Sequence, residues 1–94
     1  MIHELKTEKK FFEDILNRAK SFEVRQNDRD FKTGDYCALN EYDAETQQYT
    51  GRSMIVRITY ILSDERFVKE GFVTFGVEVC GVKTNYYMDL QYIL

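Results

Sequence analysis

Six side chains within ten positions carry most of the chemistry this chain can offer: Lys20, Glu23, Arg25, Asn27, Asp28 and Arg29. They bring together an ammonium, carboxylates, an amide and two planar forks of donors. A strand's side chains alternate between its two faces, so Glu23 and Arg25 point the same way, and Lys20, just ahead of them, reaches over that face. Away from water, such a set grips a nucleobase edge or polarises an amide, because hydrogen bonds to charged groups strengthen there. In open water the same residues are an ordinary solvated strand, each ion pair contributing about 0 to 1 kcal/mol. The spacing alone leaves both readings open.

Other chemistries have fewer residues to draw on. The chain has two cysteines, Cys37 and Cys80, no C-x-x-C pair and one histidine, His3, which gives neither a zinc-ligand set nor a nucleophile-base pair independent of that histidine. Both cysteines lie in apolar stretches and read as reduced core fillers. His3 reads as a structural residue at one end of the fold. No metal or cofactor is expected.

The charge balance limits the partners. Residues 1–50 carry 8 basic and 11 acidic side chains and residues 51–94 carry 5 of each, for a net charge of −3. Dedicated nucleic-acid binders have isoelectric points above about 9; at about 5.1, this chain is expected to hold long RNA or DNA weakly unless its cations share one groove. No apolar run approaches the ~20 residues of a membrane span, and the first residues lack a signal-peptide core, so a cytoplasmic protein with no membrane partner is expected.

The elements that must position these groups follow from periodicity. Phe11, Phe12, Ile15, Leu16 and Ala19 recur at three- and four-residue spacing, predicting a helix over about 8–19 that starts at Thr7 as its cap. The period then changes to two, with Phe22 and Val24 on one face of a short strand and Glu23, Arg25 and Asn27 on the other. Turn formers fill 27–35, with Gly34 the candidate for positive φ. Strands are expected from Tyr36 to Tyr42, from Arg52 to Leu62 and from Phe72 to Cys80. In the second, Met54, Val56, Ile58, Tyr60 and Leu62 line one face; in the third, Val73, Phe75, Val77 and Val79 point inward. Polar connections cover 43–51 and 63–71. The apolar tail, 82–94, reads as a last strand or short helix, in which Tyr86, Tyr87 and Tyr92 serve as core, as a homodimer or protein contact, or as base-stacking rings. One domain over residues 1–94, mainly β (α+β), with a small closed or half-closed barrel and a helix beside it, is the expected architecture.

Several strings, taken in order, resemble a known family: His3-Glu4-Leu5-Lys6 before Phe11-Phe12, the run from Lys20 to Phe31, Gly34-Asp35, and Tyr49-Thr50-Gly51-Arg52 leading to Ile61-Leu62. They are similar to the DUF3850 family, placed within the ASCH superfamily of PUA-like barrels. That superfamily's G-x-K-x-x-E-x-R signature has Lys20, Glu23 and Arg25 at its last three fixed positions, with Arg18 in place of its glycine. The resemblance implies a PUA-like barrel with a cleft beside the helix, lined by those three residues, and a role in binding RNA or a nucleotide. Some ASCH relatives are small amidohydrolases acting on N-acylated cytidine through a Lys and a Thr. Here Glu23 occupies the threonine's position, so a hydrolase would have to work with Lys20 and with Glu23 as base or water-positioning group. A third reading is a phage or prophage accessory domain that contacts another protein.

Overall fold

The computed structural model describes residues 2–83 and, by backbone, 88–89. The chain runs β1 (Ile2–Glu8), α1 (Lys9–Leu16), β2 (Phe22–Gln26), β3 (Tyr36–Asp43), β4 (Gln48–Leu62), β5 (Phe72–Lys83) and β6 (Met88–Asp89). One curled sheet in the order β1-β3-β4-β5-β2, with β6 also paired to β5, forms a half-barrel. β1 runs parallel to β3, and the other pairings are antiparallel. The expected mainly β architecture with one helix is therefore present.

The first strand was not anticipated. Residues 2–8 alternate perfectly in burial, but of their inward residues, His3, Leu5 and Thr7, only Leu5 is apolar, which leaves almost no hydrophobic period. Thr7 and Glu8 therefore belong to β1, and the helix starts at Lys9 with no side-chain cap. It ends at Leu16, three residues earlier than its apolar stripe suggests. The chain turns there because Arg18 takes φ 69° and the Lys20 N–H reaches back to the Asp14 carbonyl at 2.9 Å. Phe12 and Ile15 are fully buried and plug the open side of the half-barrel, while Phe11 stays exposed at its rim.

Leu39, Met54, Val56, Ile58, Val73 and Phe75 form the centre of the core. The inward row predicted for β4 holds only as far as Ile58. The ladder skips a residue at Thr59, with Ile58 opposite Val77 and Tyr60 opposite Gly76, and a bulge of this kind moves the next side chain to the other face. Tyr60 is accordingly 69% exposed and Leu62 half-buried. The second strand inverts the usual sense of its alternation: Glu23 is buried and Arg25 half-buried, while Phe22 and Val24 face outward. The predicted connection at 43–51 shortens, because β4 already begins at Gln48. In the tail, Met88 and Asp89 pair as a strand with Lys83 and Val82. Tyr86, Tyr87 and Tyr92 lie outside the described residues. Cys37 is buried and Cys80 half-buried, and both are free thiols.

Candidate functional site

Lys20, Glu23 and Arg25 converge. The Lys20 Nζ lies 3.1 Å from Glu23 Oε1, and Arg25 Nε donates to Glu23 Oε2 at 2.8 Å. Glu23 is only 3% exposed, so the carboxylate is held by two cations where little water reaches it. Such a group costs several kcal/mol to bury alone and is tolerated because its partners hydrogen-bond to it directly. The Lys20 ammonium also sits 4.9 Å from the centre of the Phe11 ring and 5.2 Å from that of Phe22, a geometry in which ring faces attract a cation.

Arg25 spends its remaining donors on β1. Its Nη1 donates to the Lys6 carbonyl at 2.9 Å and its Nη2 to Thr7 Oγ1 at 3.0 Å. β1 and β2 are the two ends of the sheet and share no ladder, so Arg25 bridges the seam of the half-barrel. Arg29, four residues on, repeats the device, donating to the Glu4 carbonyl at 2.8 Å. Side-chain N–H groups thus satisfy edge carbonyls that a neighbouring strand would otherwise take.

Above the trio lies a cleft of about 390 Å³ bounded by Lys6, Thr7, Glu8, Phe11, Phe22 and Val24. The three outer candidates lie apart from it. Asp28 and Arg29 line a second recess of about 280 Å³ on the far side of Arg25, together with Phe31 and Phe72. Asn27 is exposed, and its backbone N–H donates to the Gly71 carbonyl at 2.9 Å.

A second buried carboxylate escaped the sequence reading. Glu41 is 1% exposed and accepts from Thr50 Oγ1 and from Arg52 Nε and Nη2 at 2.9 and 2.8 Å. Arg52 also pairs with Glu13 of α1 and lies 5.0 Å from the Phe12 ring centre. Burial pushes the Glu41 carboxyl up, but the Arg52 and Thr50 hydrogen bonds and the charges of Arg52 and Lys9 outweigh it and hold it below the ordinary carboxylate range. The hydrogen bond from Arg52 to Glu41 in turn raises the guanidinium. Glu41 falls where the β3-β4 ladder shifts register between Asn40 and Tyr42, which turns its side chain toward Arg52. The available signal was the Tyr49-Thr50-Gly51-Arg52 string, with no period of its own. This network clamps helix to sheet.

His3 has a partner too. It lies 2.8 Å from Asp35 Oδ2 and 4.7 Å from the Phe31 ring centre, and the hydrogen bond to His3 is the main reason the Asp35 carboxyl sits below its usual value. The Cys37 thiol, buried in the core near Glu23 and Arg25, is pushed up to about 11 by burial. Among the described residues no group of three or more histidines, cysteines or carboxylates could hold a metal ion, and no helix is long and apolar enough to cross a membrane.

A protein of Escherichia phage P2, described as an uncharacterized 12.9 kDa protein in the GpA 3' region, is 38% identical over 65 residues. The match takes in 67% of this chain and spans 58% of the phage protein's length. The profile of DUF3850, a domain of unknown function, matches residues 2–77, which include β1, the helix, the cleft and the Glu41 clamp. With that much of its length matched, the chain belongs to the DUF3850 family.

Proposed function

We propose that the chain is a binding module for RNA or a nucleotide, with the ligand's first contact in the cleft between α1, β1 and β2. The observation that carries this reading is the meeting of Lys20, Glu23 and Arg25 at one wall of a recess whose rim is aromatic and apolar, with Phe22 45% and Val24 51% exposed. A volume of about 390 Å³ falls in the range of small-ligand sites. The Lys20 ammonium meets a phosphate or a base acceptor, and Glu23 accepts from an exocyclic amine. Phe11 and Phe22 supply ring faces. Arg25, with three nitrogens already donating, is a positioning residue that holds Glu23 and the β1 edge. Lys20, Glu23 and Arg25 also stand at the last three fixed positions of the ASCH signature, a resemblance that supports the same assignment.

The hydrolytic reading has less behind it. Position 23 carries a carboxylate in place of the threonine hydroxyl on which the amidohydrolase relatives rely.

Thermal-shift measurements across nucleosides and nucleotides, followed by fluorescence anisotropy with short single-stranded and hairpin RNAs at low and moderate salt, test the proposal. Binding should weaken about tenfold or more in Lys20→Ala, since a hydrogen bond to a charged group contributes about 1.5–3 kcal/mol. Absence of binding to every nucleotide and RNA would remove it.

A further inference from the structure

We propose that the cleft is one end of a longer track that holds an extended single strand of nucleic acid across the outer face of the sheet. This rests on reading the cleft as a nucleotide site. A chain of contacts leads out of it. Lys6 lines the cleft and places its Nζ 4.4 Å from the centre of the Tyr42 ring. Tyr42 in turn meets Tyr49 edge-on, with ring centres 5.2 Å apart and planes at 73°. Tyr49 is 59% exposed and borders a shallow recess of about 310 Å³ with Asn40, Arg52, Ser53 and Lys83.

The register explains why these groups form a line. Glu8 pairs with Tyr42, Tyr42 with Tyr49, and Ser53 with Lys83, so the track crosses β1, β3, β4 and β5 on the face opposite the core. Three interstrand steps of about 4.8 Å, with a shift along β4 from Tyr49 to Ser53 before the last of them, make a path of more than roughly 14 Å beyond the cleft. Proteins that hold single strands pair ring faces, on which any base can stack, with cations that follow the backbone. Here an amine lies over a ring at the start of the path (Lys20, Phe11 and Phe22) and at its middle (Lys6, Tyr42), and Lys83 and Tyr49 line its far recess.

The acids nearby set the strength. Glu4 is occupied by the Asn40 amide at 3.0 Å and Asp43 by Lys9 at 3.8 Å, whereas Glu8 lies open beside the entrance. Few phosphates can therefore be neutralised, and affinity should come mainly from stacking. With three amines on the path, the logarithm of the affinity should fall with the logarithm of salt at a slope near −2, taking about 0.7 per contacted phosphate of a single strand.

Anisotropy with labelled oligo(U) and oligo(dT) of one to six nucleotides, against UMP and dTMP as competitors, tests this. Going from one nucleotide to four should tighten binding by about five- to a hundredfold, the contribution of about one stacked base. Tyr49→Ala and Lys83→Gln should erase most of that gain while leaving competition by the mononucleotide unchanged, and Tyr49→Phe should keep it. Oligo(dU), which differs from oligo(U) in the sugar alone, shows which strand gives the larger gain. If mononucleotides bind but length adds nothing, or if the gain survives both substitutions or is matched by a closed duplex, the track is wrong and the cleft assignment stands. If neither mononucleotides nor oligomers bind, the cleft assignment itself is wrong and the track falls with it.

Discussion

The guanidinium of Arg25 donates to the main-chain carbonyl of Lys6 at 2.9 Å, joining two strands that have no backbone hydrogen bonds between them. The same side chain holds the buried Glu23 at 2.8 Å, so one residue serves both the charge of the cleft and the seam, whose closure it shares with Arg29. A polar trio that reads as ligand chemistry is also a joint in the barrel, and both roles follow from where β2 lies.

Arg25→Ala should therefore destabilise the fold by about 2–3 kcal/mol, less than the full loss of a buried pair because Lys20 still holds Glu23. Arg25→Lys should lose about half of this, keeping the charge but not the planar fork. Urea denaturation reads both. In a double-mutant cycle with Glu23→Gln the coupling should exceed about 1 kcal/mol; additive effects would show that the two groups do not support each other.

Arg18 sits at φ 69° after the helix, in the region that only glycine occupies without strain. Replacing it with glycine relieves that strain but gives up the 2.6 Å hydrogen bond from its guanidinium to the Leu16 carbonyl. The expected balance is a gain of about 0.5–1 kcal/mol, or about 3–6 °C in Tm for a chain of this size. A Tm unchanged or lowered in Arg18→Gly would contradict this.

Acid should unfold the protein through Glu41. Its folded carboxyl titrates below the unfolded value of about 4.3, so its contribution is complete above that pH and disappears as pH falls through the folded value. Asp35, also held low, acts in the same direction. The urea midpoint should be level from pH 7 to 5 and drop below about pH 4. Arg52→Met should cost about 3 kcal/mol at pH 7 by leaving the buried carboxylate with only Thr50 bonded to it, and, with the sign now reversed, should regain part of that on mild acidification as Glu41 takes up a proton. A variant whose stability only falls between pH 7 and 5 would refute the clamp.

Thiol labelling should separate the two cysteines. At pH 8 the native protein should leave Cys37 unmodified, since its thiol is buried and pushed up to about 11. Cys80 is raised as well but half-buried, and it should label first. Mass spectrometry after brief treatment with a maleimide distinguishes one modification from two; early labelling of Cys37 would show that the core opens far more readily than its packing implies.

Much of the architecture was legible where a hydrophobic period coincided with burial. Val73, Phe75, Val77 and Val79 alternate inward as their sequence says, because apolar side chains at period two have only one face to bury. Reading failed where the buried residues were polar. β1 hides His3, Leu5 and Thr7, and their partners, Asp35, the core and Arg25, come from distant parts of the chain. The bulge at Thr59 that exposes Tyr60 is likewise a property of the pairing between β4 and β5, not of either strand alone.

The sequence by itself determined the secondary-structure class, the grouping of Lys20, Glu23 and Arg25 on one side of a strand, and the core row of β5, since each depends only on short-range periodicity. Only the tertiary structure decided that the polar side of β2 faces inward, that Arg25 and Arg29 staple the two ends of the sheet, and that Glu41, Thr50, Arg52 and Glu13 form one clamp. A buried charge is stable only beside its partners. Glu41 meets Thr50 and Arg52, 9 and 11 residues on, and Arg52 in turn reaches back 39 residues to Glu13, so the fold had to bring them together before their roles could be read.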